Sequence, residues 1–112
     1  MTDSKKNWQV RFDEEIQKAE GARDAGNDGM SRVCARRAVG SIIGEYLTRL
    51  GINVTGMAAY DLIQYLSEKS AIDPAIREIA SHYLLRVTPE GNLPIPIDLI
   101  AEAYLLKDML LG

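Results

Sequence analysis

Two residues in the stretch "PAIREIASHYLLRV", residues 74 to 87, have types that could do chemistry together: Arg77 and the chain's single histidine, His82, spaced as R-x-x-x-x-H. Cleaving RNA without a metal needs one group to take the proton of a ribose hydroxyl and one cation to hold the charge that builds on the phosphate. Histidine suits the first task, because an unperturbed imidazole titrates near ~6.5 and both protonation states are accessible at neutral pH. Arginine suits the second, with a permanent charge and a planar fork that matches phosphate oxygens. A plainer reading competes. Glu78 and His82 stand four residues apart, the spacing of neighbours on a helix surface, so His82 could simply answer Glu78 on a solvated face.

The element that must position the pair is a helix. Asp73 before Pro74 is a start signal: the carboxylate caps free amides and proline suits the first helical position. The stripe that follows, Ile76, Ile79, Ala80, Tyr83, Leu84 and Val87, predicts an amphipathic helix running to the end of the stretch. A five-residue separation then sets Arg77 and His82 about 140° apart around the axis and about 7.5 Å apart along it. They lie on the outer arc around Leu85, and a site using both would span a cleft between two copies of the chain.

Four further helices are expected around this one. Trp8, Phe12, Ile16, Ala19 and Ala22 trace one face of a first helix that stops near "AGNDG". Met30, Val33, Cys34, Ile42, Ile43, Tyr46, Leu47 and Leu50 mark a long second helix, with Gly51 as its stop. Thr55 is read as the cap of a short third helix with the stripe Ala59, Leu62, Ile63 and Leu66. Asp98 opens a last helix, "LIAEAYLLKDMLL", apolar nearly all round, as expected of a helix covered on more than one side by its own bundle or a second subunit. No stretch alternates over a strand's length. The fold class is therefore all-α, one helical bundle of about five segments over residues 1–112.

Composition narrows the function classes. At 112 residues and 46% hydrophobic the chain makes one core, and its net charge of −3 argues against a surface that is everywhere a polyanion-binding field. One cysteine excludes an internal disulfide and a cysteine zinc cluster, and no motif calls for a metal or a cofactor. "MTDSKKNWQV" has charge but no apolar run after it, which predicts neither a secretory signal nor a membrane anchor and points to a cytoplasmic protein.

Other candidates sit on the second helix. Arg32 and Arg36, one turn apart, form the best basic ridge and are candidate ligands for nucleotide or RNA phosphates, against the plainer reading of a solvated face pairing with Asp24 or Asp28. Arg37 falls nearer the apolar stripe, where an interface pairing is expected. Gly40 and Gly44 form a small-x-x-x-small step that would permit close helix packing. Cys34 reads as a buried small residue, and Tyr46, Tyr60, Tyr65 and Tyr104 read as packing residues with a polar tip.

Taken in order, "A-R-D-A-G-N", then "C-A-R-R-A-V-G-S-I-I-G-E-Y-L", then "A-Y-D-L-I-Q-Y-L", then "D-P-A-I-R-E" resembles HEPN domains, the higher eukaryote and prokaryote nucleotide-binding family, from about Glu14 to Leu111. The resemblance implies an up-down helical bundle that forms a homodimer. It implies, for Arg77 and His82, the shorter form of the family's R-x(4 to 6)-H motif, which in many members makes a metal-independent ribonuclease, often a toxin paired with a small nucleotidyltransferase. Members without that activity are nucleotide-binding or scaffolding modules, and that remains the alternative for this chain.

Overall fold

The computed structural model describes residues 7–112, so the opening "MTDSKK", on which the leader reading partly rests, lies outside the described residues. The described residues fold into five helices, α1 (Asn7–Asp24), α2 (Asp28–Arg49), α3 (Ala59–Glu68), α4 (Pro74–His82) and α5 (Leu99–Leu111), without a strand among them. α2 is the central element, packing on α1, α3 and α5, while α4 bridges α3 and α5. The core is the sum of one apolar face from each, with Phe12 and Ile16 from α1, Val39, Ile42, Ile43 and Leu47 from α2, Ile63 and Leu66 from α3, and Leu106 from α5 all buried. No helix among the described residues is long and apolar enough to cross a membrane.

Local chemistry sets most of the boundaries. After α1 the chain turns through Gly26 at φ +78°, and the amides of Gly26 and Asn27 reach back to the carbonyls of Arg23 and Ala22. That pattern closes a helix end with a left-handed residue that glycine adopts without strain. Asn27 then serves the next helix, its side-chain oxygen accepting the Met30 amide at 3.1 Å. The Ser31 hydroxyl donates to the Ala19 carbonyl at 2.9 Å, in the buried seam between the two helices. Gly51, at φ +82°, ends α2 in the same way as Gly26 ends α1. Asp73 and Asp98 cap α4 and α5 as expected, accepting the amide of Ala75 and those of Ile100 and Ala101.

Four expectations need correction. Thr55 does not cap α3: its amide donates to Asn53, the cap position is Ala58, and the Asp61 carboxylate accepts the Ala58 amide from inside the first turn. α4 ends at His82 rather than near Val87, because Tyr83 takes the cap position and the chain leaves the helix, which removes Leu85 from any outer helical arc. Met30, placed on the apolar stripe of the second helix, is 48% exposed. Of the four tyrosines expected to pack, Tyr46 is half-buried and Tyr104, though partly exposed, sets its ring edge-to-face on Phe12 at 5.5 Å, while Tyr60 and Tyr65 are exposed. The fully packed tyrosine is Tyr83, whose hydroxyl donates to the Leu99 carbonyl at 2.7 Å and so ties the end of α4 to the start of α5.

Of the small-residue step, Gly40 is used for close packing inside the bundle. A methyl group built on Gly40 would lie 2.7 Å from the Ala59 side chain, so α2 and α3 approach there as closely as a missing side chain allows.

Candidate functional site

His82 is the last residue of α4 and faces α5. Its Nδ1 lies 2.7 Å from Oε1 of Glu102, with the histidine side chain 14% exposed and the glutamate 23% exposed. An ionised carboxylate only accepts, so this partner places a proton on Nδ1, and Nε2 is the ring nitrogen that Glu102 does not engage. The expected pairing with Glu78 on the same helix gives way to Glu102, and the reason is burial: Glu78 is exposed, whereas Glu102 sits in the α4–α5 seam and meets the ring with little water between them. Sequence reasoning missed Glu102, because it lies twenty residues from His82 and only the packing of two helices joins them.

Glu102 and Asp98 also face the Tyr83 phenol. Burial pushes the Tyr83 hydroxyl far above its ordinary range, and the two carboxylates push it further in the same direction. This tyrosine is therefore a fixed hydrogen-bond donor rather than an acid–base group.

Arg77 stands apart. Helical spacing turns it about 140° from His82, no hydrogen bond or ion pair joins them, and its Nε is buried without a partner among the described residues. A single chain thus holds His82 in a polar pair with Glu102 and leaves Arg77 outside it.

The arginine ridge divides as well. Arg36 donates from Nε to the Tyr83 carbonyl at 3.1 Å, satisfying an acceptor that the end of α4 leaves open, so it is a strut between α2 and α4. Arg37 is exposed and makes no ion pair with a described residue. Arg32 likewise pairs with neither Asp24 nor Asp28 and makes no hydrogen bond to a described residue. It lines a cleft of about 390 Å³ between the α1–α2 junction and residues 92–100. Arg23 and Asp28 stand on the same side of this cleft, while Leu93, Ile95, Pro96 and Ile97 line the other. Asp98 holds Arg23 loosely at 3.4 Å, with both side chains about half exposed. The cleft therefore offers one free guanidinium, a second one weakly engaged, two carboxylates and an apolar wall.

Cys34 is buried as expected. Burial first, then the nearby Glu15 carboxylate, push its thiol above the usual range, the opposite of what a nucleophile requires.

Comparison with protein-family models, with curated proteins and with solved structures returns no match to this chain.

Proposed function

We propose that the chain is a HEPN-like module that binds the phosphate of a nucleotide or of RNA in the cleft beside Arg32. The observation that carries this reading is the unpaired Arg32 guanidinium on the wall of a cleft of about 390 Å³. That volume falls within the range of small-molecule sites, roughly 300–1,000 Å³. Arg32 would hold the phosphate with Arg23 as the second cation. The Leu93 to Ile97 wall would take the face of a base, and Asp28 and Asp98 would accept hydrogen bonds from sugar hydroxyls or a ring amine. Titration calorimetry with adenosine monophosphate and with a short single-stranded RNA tests it. Arg32→Ala is expected to weaken binding about tenfold or more, since a hydrogen bond to a charged group contributes about 1.5–3 kcal/mol. Undiminished binding by a folded Arg32→Ala variant sinks the reading.

RNA cleavage is the second reading, and the 2.7 Å bond from His82 to Glu102 favours it. General bases are oriented by a third group, and here Glu102 fixes the ring with Nε2 free. Because Arg77 stands outside this pair, the reading requires a homodimer that brings Arg77 of a second copy to His82. Incubating RNA with the purified protein in chelator, beside His82→Ala and Arg77→Ala, decides it: cleavage that is equal in all three belongs to a contaminant. The resemblance further supports a small nucleotidyltransferase as partner and a cytoplasmic setting. Co-expression of the chain with such a partner, followed by co-purification, tests that pairing.

A further inference from the structure

Two cavities of about 240 and 430 Å³ share Arg11, Gly40, Ser41, Met57 and Leu62, and so form one continuous trough between α1, α2 and the segment from residue 54 to 62. It is separate from the Arg32 cleft and from the His82–Glu102 pair.

Three features of the trough are not explained by internal packing. The first is on α1, where the Trp8 indole nitrogen is buried without a hydrogen-bond partner among the described residues. Buried polar groups are nearly always paired, so a donor left without a partner beside the trough calls for a ligand that accepts from it. The second is charge: Arg11 and Arg37 make no ion pair with a described residue, while Glu45 at the far end is already engaged by Arg49 at 2.8 Å. The third is Gly44. A methyl group there would meet only the Leu62 side chain at 3.6 Å, an ordinary contact, so the fold does not demand this glycine as it demands Gly40. A glycine inside a helix weakens it, and close approach of a ligand backbone is one reason to keep one.

We infer that the trough binds an extended peptide of a partner protein, with a carboxylate side chain set between Arg11 and Arg37. A backbone carbonyl would accept from the Trp8 indole, and the bare surface at Gly44 would admit the peptide main chain. Glu14 and Glu15 share the rim with the two arginines, so a ligand with a single carboxylate fits and a polyanion such as RNA is repelled at that end.

The chain carries one tryptophan, so its fluorescence reports the trough directly. The full-length protein is titrated with a pool of blocked pentapeptides that omit tryptophan, have glutamate fixed at the centre and are randomised elsewhere, and then with the same pool centred on lysine. The glutamate pool is expected to change Trp8 emission saturably and to bind at least tenfold more tightly than the lysine pool. Arg37→Glu and Gly44→Ala should each weaken that binding at least fivefold, and Gly44→Ala should do so with a melting temperature equal to or above that of the parent. Equal responses to the two pools, no saturable response to either, unweakened binding by Gly44→Ala, or a response to a short RNA in their place overturns the inference.

Discussion

At the scale of single residues, the bond between His82 and Glu102 and the one from Tyr83 to Leu99 make the α4–α5 seam selective about protons. Glu102→Ala leaves the Nδ1–H of a largely buried imidazole without a partner and is expected to cost about 1–2 kcal/mol, read from the denaturant midpoint. The chain's single histidine makes a second readout direct, because its nitrogen resonances should show the fixed Nδ1–H tautomer in the parent and a mixture in the variant. Tyr83 gives a pH dependence of known sign. Its folded-state pKa is raised above the unfolded value of about 10, so the native chain keeps a proton that the unfolded chain releases. The contribution is fully present below about pH 10 and is lost above it, by about 1.4 kcal/mol for each further pH unit. Tyr83→Phe should make that alkaline slope shallower, the raised Cys34 thiol keeping part of it, while costing about 1–2 kcal/mol near neutral pH, where the Leu99 carbonyl loses its donor. A Tyr83→Phe variant with the parent's alkaline slope would mean that another group carries it. Of this seam the sequence showed a histidine and the apolar placement of Tyr83, which is buried, but neither hydrogen-bond partner. The R-x-x-x-x-H spacing drew attention to Arg77, whereas the partner that reaches the ring comes from another helix.

At the scale of elements, the two glycines of α2 are expected to respond in opposite directions. Gly40→Ala forces a methyl group to 2.7 Å from Ala59 and should destabilise by about 1–3 kcal/mol, despite alanine's better helix propensity. Gly44→Ala meets only the Leu62 methyl at 3.6 Å and should be neutral or stabilising by up to about 1 kcal/mol. Thermal denaturation of both variants checks the contrast, and equal effects would mean that α3 can slide away from Gly40. Helix starts that depend on a neighbouring carboxylate were legible, as Asp73 and Asp98 show, because a cap acts on amides two or three residues on. The end of α4 was not. Apolar spacing continues past His82 to Val87, but Arg36 takes the Tyr83 carbonyl and Leu99 takes the Tyr83 hydroxyl, both from distant parts of the chain. Those long-range bonds hold Tyr83 at the helix cap, where periodicity alone would continue the helix. At α3, Thr55 was a reasonable cap by residue type, yet the cap position falls at Ala58, whose own amide Asp61 accepts from inside the helix.

At the scale of the whole molecule, the all-helical class and the number of segments were legible because each helix carries its own stripe and stop. The surface was not, since amphipathic spacing says which face is apolar but not whether anything covers it. α5 illustrates this: Leu99, Ile100, Ala103 and Leu106 enter the core, while Tyr104, Leu105 and Met109 remain 45%, 49% and 39% exposed. If the proposed homodimer uses this face, Leu105→Glu should leave the circular dichroism of the chain unchanged and weaken self-association about tenfold or more, as measured by sedimentation equilibrium. A dimer that survives that substitution uses another surface. Cys34 has a consequence of a different kind. It is the chain's one thiol, it is 2% exposed, and it sits on the central helix where α1 and α2 meet. A thiol reagent can reach it only when that seam opens, so the rate of labelling in native buffer counts openings and the plateau at high reagent gives their frequency. One sulfur atom placed at the middle of the bundle thus makes the protein its own clock for how often α1 parts from α2.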